Sequence, residues 1–269
     1  MSDAGHSSSG YEVLAVRYGR RVGKKGETYL NYHLYGEPDG PLPMDYFVWV
    51  VRNAERTVVV DTGFRPEVGT RRGRELLVDP PEGLAEVGVD AASAEVVVAT
   101  HAHYDHIGNL HRFPAAEVVV SRREYEFWRG PYGRRLQFAS STEEPELAVL
   151  AELGEKDRLS FVDGRHQLAP GIEVIDVGGH TPGQMVVVVQ GASGQVVLAS
   201  DAVHYYEEYE RDRPFSIVAD LADAYRAFDT IRELTSGPGG VLVAGHDPDV
   251  MTRFPPYPGA PEGLAVQVA

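Results

Sequence analysis

A strand-like run that leads directly into four metal-binding side chains restricts the fold and the chemistry of this sequence more than any other feature. In the segment VVVATHAHYDHIGN, the apolar run is followed by His101, His103, Asp105 and His106. Because only ten of the 269 residues are histidines, a chance HxHxDH arrangement is expected in about one chain in a thousand. A loop at a strand end can turn all four side chains toward one point, since the sheet holds the backbone. The pattern therefore predicts a metal site rather than a solvated histidine-rich loop.

Three further ligand-type residues each follow a strand-like run later in the chain. His180 lies in DVGGHTPG, Asp201 in VVLASDA and His246 in VLVAGHD. Each alone is more often a hydrogen-bonding histidine or a helix cap. Together with the first cluster they supply imidazoles and carboxylates that suit two ions such as zinc, with one carboxylate placed to bridge and open positions for water. The chain has no cysteine, so thiolate ligands and disulfides are excluded.

The formal net charge of -15 restricts the partners. It would repel phosphate backbones and anionic lipids, so we expect neither a nucleic-acid nor a membrane partner, but a small-molecule substrate and a possible homodimer. A basic cluster, Arg20, Arg21, Lys24 and Lys25, is interpreted as a solvated hairpin loop, because it lies in a Gly-rich turn without an aromatic platform. Neither a long apolar run nor a secretory signal occurs, so the prediction is a soluble, cytoplasmic protein.

The order of apolar patterns predicts one large catalytic domain over residues 11–269, after a Ser- and Gly-rich tail, residues 1–10, that we expect to be disordered. The runs YEVLAVRYG, ETYLNYHLYG, DYFVWVVR and RTVVVDTG predict an antiparallel meander. Residues 121–156 predict a helical insertion, and residues 219–234 a later helix. Further strands are predicted at IEVIDVGG, QMVVVVQ, QVVLASD and VLVAG. We therefore predict an α+β fold in which two sheets pack face to face between outer helices, a four-layer αβ/βα sandwich.

Taken in order, HxHxDH, GHTPG, a strand-ending Asp and a late GH resemble the metallo-β-lactamase superfamily over roughly residues 45–250. The resemblance implies two metal ions, zinc in the first instance, with His101, His103 and His180 on the first, Asp105, His106 and His246 on the second, and Asp201 bridging them. It also implies that Asp61, in VVVDTG, orients the histidine loop without binding metal; spacing alone leaves a simple turn equally open.

The implied mechanism is hydrolysis by a bridging hydroxide. Two cations typically about 3.5–4 Å apart lower the pKa of a shared water, so that hydroxide exists at neutral pH. One ion would polarise the substrate carbonyl and stabilise the oxyanion. Asp105 would pass a proton to the leaving alkoxide.

Several branches of the superfamily fit the residues poorly. Class B1 lactamases need a cysteine, the flavodiiron proteins resemble an HxExD pattern, and glyoxalase II carries a helical domain after the last histidine, where only 23 residues follow here. The nucleases need a basic groove. The N-acyl homoserine lactone lactonase group, whose activity quenches quorum signals, is closest in length and in its seven ligands.

One position departs from that group. The group places a tyrosine three residues after the bridging aspartate, whereas this chain has His204 there, followed by Tyr205 and Tyr206. We expect either His204 or Tyr205 to contact the substrate, and core packing of this segment stays open.

The remaining aromatic residues near the motifs are candidates for the pocket wall: Tyr104, Phe127, Trp128 and Tyr132. Such a wall suits opening of a lactone to its hydroxy acid. The alternative is hydrolysis of another carboxylic ester, a thioester or a cyclic amide, and a phosphodiesterase or a non-catalytic metal-binding protein is less favoured.

Overall fold

The computed structural model describes residues 10–191 and 193–269. The predicted disordered tail therefore lies outside the described residues, except for Gly10. The strands, in chain order, are β1 (Glu12–Lys24), β2 (Pro41–Arg52), β3 (Thr57–Val60), β4 (Glu75–Leu76), β5 (Val96–Val98), β6 (Glu117–Ser121), β7 (Leu159–Val162), β8 (Arg165–Ala169), β9 (Ile172–Asp176), β10 (Met185–Gln190), β11 (Gln195–Leu198), β12 (Val241–Val243) and β13 (Ala265–Gln267).

Ten short to medium α-helices connect or cover these strands within the described residues. They are α1 (Lys25–Thr28), α2 (Pro66–Arg71), α3 (Pro80–Glu86), α4 (Tyr104–Ile107), α5 (Arg122–Arg129), α6 (Leu136–Ala139), α7 (Glu144–Glu155), α8 (Tyr206–Arg211), α9 (Leu221–Thr235) and α10 (Val250–Arg253). Helices α5, α6 and α7 occupy the segment where the sequence predicts a helical insertion.

The strands form two sheets. The first has the order β13-β1-β2-β3-β5-β6-β7 with β4 beside β1, and the second has the order β12-β11-β10-β9-β8. Strands β1, β2 and β3 pair antiparallel, whereas β3, β5, β6 and β7 pair parallel. Parallel strands need crossover connections, and those after β5 and β11 carry the loops of His101 and Asp201.

Burial on both faces of the strands explains the layers. Along β1, Val13 packs into the core that lies between the sheets, and the next residue, Leu14, packs into the core beneath the helices of the first half. Phe228 of α9 covers the second sheet from outside, and Leu150 of α7 covers the first. Because successive side chains point to opposite faces of a sheet, each apolar strand needs a packed layer on both faces. The predicted α+β four-layer sandwich is confirmed.

Two local predictions were wrong. The run ETYLNYHLYG is not a strand: it contains the last two residues of α1 and a 3-10 turn at Tyr32–Tyr35. The turn lies between Asn31 and Gly36, which have left-handed φ angles of 50° and 65°. Buried Tyr29 and Tyr32 stack on each other with ring centroids 6.0 Å apart, so tyrosine packing replaces strand pairing here.

The basic cluster is not a solvated loop. Strand β1 continues through Lys24 against β2, with a bulge between Arg17 and Gly19. Arg20 and Arg21 therefore project from opposite faces of a strand. Within the part of the chain that is described, no helix has both the length and the apolarity to cross a bilayer. The single-domain organisation, the cytoplasmic location and the homodimer stay predictions.

Candidate metal centre

The predicted ligands follow strands that end at one edge of the sandwich. Strands β5, β9, β11 and β12 lead into the loops of His101, His180, Asp201 and His246, respectively. Strands β11 and β12 pair parallel, and β9 runs in the same direction as β11 because each pairs antiparallel with β10. A hydrogen bond from the amide of Met185 to the carbonyl of Thr100, 2.9 Å long, ties the edges of the two sheets together. Their carboxyl ends thus face a shared centre.

All seven predicted ligand side chains are buried and meet in two groups. Within each group, donor atoms lie within 4.8 Å of one another: His101, His103, His180 and Asp201 in one, and Asp105, His106 and His246 in the other. Asp201 also reaches the second group, because its Oδ1 lies 3.2 Å from Nε2 of His106 and 3.1 Å from Nε2 of His246. The two groups coincide with the triads that the sequence resemblance implies, and Asp201 lies between them.

Three buried polar atoms in this cluster make no hydrogen bond within the described part of the chain. Nε2 of His101, Nε2 of His106 and Oδ1 of Asp201 are buried without a hydrogen bond among the described residues. An unsatisfied buried polar atom typically costs about 1–3 kcal/mol. Divalent cations would satisfy these atoms, and imidazole and carboxylate donors without thiolate suit zinc-like ions. The residues therefore fit a pair of metal ions.

The electrostatics favour the ligand forms of three histidines and of Asp201. Burial lowers the pKa of His101 and His180 well below the ordinary histidine value, and lowers the pKa of His103 to about 4. Burial raises the pKa of Asp201, but the surrounding imidazoles outweigh it and bring the pKa well below its usual range. Neutral imidazoles and an ionised carboxylate are the forms that bind metal.

Backbone carbonyls orient two of the imidazoles. Nδ1 of His246 lies 2.8 Å from the carbonyl oxygen of Asp45, and Nδ1 of His180 lies 2.8 Å from that of Ile217. Because a carbonyl only accepts hydrogen bonds, each Nδ1 carries the proton, which leaves Nε2 as the ligand atom.

Asp61 has the contacts of an orienting residue. Its Oδ2 lies 2.8 Å from Nδ1 of His106, and its two oxygens accept from the amide and the hydroxyl of Thr100, each at 2.8 Å. Burial lowers the pKa of His106, but the carboxylates of Asp201, Asp61 and Asp105 outweigh this and raise it. Asp61 thus holds His106 with Nε2 toward the centre.

Glu124, which sequence reasoning missed, connects two ligand loops. This fully buried carboxylate accepts hydrogen bonds from the amide of Ala102 at 2.8 Å, the amide of Gly183 at 2.9 Å and the indole of Trp128 at 2.7 Å. Ala102 lies between His101 and His103, and Gly183 follows His180 by three residues. Burial raises the pKa of Glu124, and the hydrogen bonds oppose this rise. One carboxylate therefore clamps both loops to helix α5.

A local sequence pattern predicts part of the role of Glu124. The run from Ser121 to Glu124 matches the S-x-x-E pattern of a helix start, and Ser121 does cap α5. The pattern predicts a glutamate that folds back on its own helix, whereas here the side chain turns inward. A Cβ at Gly183 would come within 2.3 Å of the amide nitrogen of Glu124, so the close approach requires glycine.

A cavity of about 50 Å³ adjoins the cluster. Besides His204, Tyr104 and several of the ligands, its walls are Arg21, Met44, Tyr46, Arg74, Phe215 and Ile217. The prediction for Tyr104 is confirmed, but the predictions for Phe127, Trp128 and Tyr132 were wrong, since none of the three lines this cavity. Trp128 bonds to Glu124, and Tyr132 is 66% exposed.

His204 faces this cavity, and Tyr205 does not line it. Nε2 of His204 lies 3.1 Å from Oδ2 of Asp201, Nδ1 lies 3.2 Å from Oε2 of Glu208, and the ring stacks on Phe215 at 3.7 Å between centroids. Burial lowers the pKa of His204, but Asp201 and Glu208 outweigh it and raise the pKa to about 9. The hydroxyl of Tyr205 is buried without a hydrogen-bond partner among the described residues.

Comparison with known proteins identifies the family of this chain. The sequence model of the Metallo-beta-lactamase superfamily matches residues 43–246. N-acyl homoserine lactonase AttM from Azorhizobium caulinodans is 29% identical over 176 residues, which cover 64% of this chain; the chain spans 65% of that relative's length. N-acyl homoserine lactonase AttM from Rhizobium radiobacter is 28% identical over 236 residues, 82% of this chain and 88% of the relative.

Solved structures share the fold. A quorum-quenching N-acyl homoserine lactone lactonase superposes with a TM-score of 0.77 at 19% identity, over 93% of this chain and 98% of the other. AidC, a dizinc quorum-quenching lactonase in complex with a product, has a TM-score of 0.69 at 17% identity, over 96% and 94% of the two chains. The matched sequence model spans most of the chain, including all seven predicted ligands, and the fold is shared. This chain therefore belongs to the metallo-beta-lactamase superfamily.

Proposed function

We propose that this metal-dependent hydrolase opens lactones of the N-acyl homoserine lactone type to the hydroxy acid, using two divalent ions, zinc in the first instance. The observation that carries the proposal is the position of the buried Asp201 carboxylate between two groups of donors at the wall of this cavity. The lactonase names of the relatives supply the substrate class.

Seven residues would hold the ions, and one of them, Asp105, would also carry a proton. His101, His103 and His180 would hold one ion, Asp105, His106 and His246 the other, and Asp201 both. When bound, such a pair polarises an acyl carbonyl and lowers the pKa of water toward neutrality. The Asp105 carboxylate borders the cavity, where it would take the proton of the attacking water and return it to the leaving alkoxide. The tyrosine hydroxyl of Tyr18 donates to the Asp105 carbonyl at 2.9 Å and holds that backbone in place.

The direct test is hydrolysis of N-hexanoyl-L-homoserine lactone. Zinc-loaded protein should release one proton per ring opened, and chelator-treated protein should lose this activity and recover it when zinc is restored, because the nucleophile depends on the metal. Proton release in a pH-stat and metal content by mass spectrometry check this. Full occupancy by two ions without turnover would overturn the lactonase proposal and favour another ester, a thioester or a cyclic amide.

We also propose that His204, rather than Tyr205, contacts the substrate carbonyl. His204→Phe keeps a ring stacked on Phe215 and removes both nitrogens, so kcat/KM should fall about tenfold. Tyr205→Phe should leave kcat/KM nearly unchanged, because its hydroxyl is outside the cavity. Steady-state kinetics of the two variants decide, and the reverse pattern would assign the contact to Tyr205.

A further inference from the structure

Two arginines line the metal cavity without a carboxylate partner among the described residues. Among residues 10–191 and 193–269, Nε of Arg21 donates only to the thioether sulfur of Met44, 3.2 Å away, which is a weak acceptor. Nε of Arg74 donates to the hydroxyl of Tyr104 at 3.0 Å, and its Nη1 donates to the carbonyl of Arg72 at 2.6 Å. Both side chains are half-buried. We call Arg21 and Arg74 the cavity arginines.

The neighbouring arginines are paired. Nε of Arg20 lies 2.8 Å from Oε2 of Glu75, and Nη2 of Arg72 lies 2.8 Å from Oε1 of Glu143. The chain has 40 acidic and 25 basic residues, so carboxylate partners are abundant. Half-buried guanidinium groups that keep free donors in such a chain are typical of a binding site for an external anion.

The charge within the cavity favours the same conclusion. With two divalent cations bound, the cations and the cavity arginines would together outweigh the two lining carboxylates, Asp105 and Asp201. The negative surface of the chain would repel an anion, so only a locally positive cavity can concentrate one. The guanidinium fork matches a carboxylate through two parallel hydrogen bonds. We propose that the natural substrate carries a carboxylate apart from its reacting carbonyl, and that Arg21 and Arg74 bind it. This inference rests on the proposed hydrolysis at the same site.

The test compares two substrates of the same shape and different charge. N-succinyl-L-homoserine lactone ends in a carboxylate, and N-(4-methylpentanoyl)-L-homoserine lactone ends in an uncharged isopropyl group of similar shape. Zinc-loaded protein should prefer the anionic lactone by about tenfold in kcat/KM, mainly through KM, since charge-assisted hydrogen bonds are about twice as strong as neutral ones.

Variants assign the preference to residues. Arg21→Gln and Arg74→Gln should each reduce the preference toward unity, and the matched control Arg20→Gln should retain it, because Arg20 pairs with Glu75 away from the cavity. Equal or faster turnover of the neutral lactone by the unaltered protein would overturn the proposal. A preference that survives in both cavity variants would overturn the assignment to these arginines.

A binding measurement separates this proposal from the lactonase proposal. If neither lactone is hydrolysed, the lactonase proposal fails. Calorimetric titration with the ring-opened products then tests the anion site independently of activity. N-succinyl-L-homoserine should then bind about tenfold more tightly than the methylpentanoyl product, and Arg21→Gln should abolish the difference. Equal binding of the two products by the unaltered protein would contradict the proposed carboxylate site, whether or not the protein hydrolyses lactones.

Discussion

Replacing Asp201 by asparagine should lower turnover by about a thousandfold or more, because the two metal groups would lose their shared anionic ligand. The Asp201 carboxylate has imidazole nitrogens on both oxygens, with Oδ2 3.3 Å from Nε2 of His180 and Oδ1 3.1 Å from Nε2 of His246. Asparagine has the same shape but no charge, so the packing of the loop is preserved. Metal content by mass spectrometry should fall from two ions toward one or none, beside the loss of kcat.

The control for this variant is Asp163→Asn. Asp163 pairs with Arg122 at the surface, where its side chain is 64% exposed, so the same chemical change should leave metal content and turnover unaltered. If Asp201→Asn kept two ions and more than about a tenth of the activity, the bridging role would be wrong, since losing a shared ligand should cost far more than losing an orienting residue.

Replacing Glu124 by glutamine should weaken metal binding about 10- to 100-fold and destabilise the fold by roughly 2 kcal/mol. The carboxylate accepts from three donors, the amides of Ala102 and Gly183 and the indole of Trp128. Glutamine offers one carbonyl oxygen, and its amide group would face a donor, so at least one buried N–H loses its partner. The loops that carry His101, His103 and His180, which belong to one metal group, would loosen together.

Two readouts separate positioning from mere stability. The matched control, Glu126→Gln, changes an exposed glutamate two residues further along α5. It should alter neither the metal affinity nor the stability of the fold. Urea unfolding of the metal-free proteins gives the stability, and the visible spectrum of the cobalt-substituted proteins reports ligand geometry. A cobalt spectrum and a metal affinity identical to those of the unaltered protein would show that Glu124 only stabilises the fold.

The fold and the chemistry of the site are readable in the sequence because their signals are local. Apolar runs such as Met185–Gln190 indicate strands covered on two faces, and alternation with helical patterns predicts the layered sandwich. His101, His103 and His106 lie in one loop. Their metal-binding chemistry can therefore be predicted without knowing which distant residues contact them. That these ligands hold two ions stays a prediction.

Only the tertiary structure decided which side chains surround that site. Glu124 holds two loops that are 59 and 22 residues away from it along the chain. A local sequence pattern cannot predict contacts over such separations. His204 and Tyr205 are adjacent in sequence, and only the packing of His204 on Phe215 and Glu208 points the first into the cavity. A short motif identifies the metal-binding side chains, because the residues that carry them are close together in one loop. Cavity walls come from segments that meet only when the two sheets pack, so their identity is a property of the folded chain.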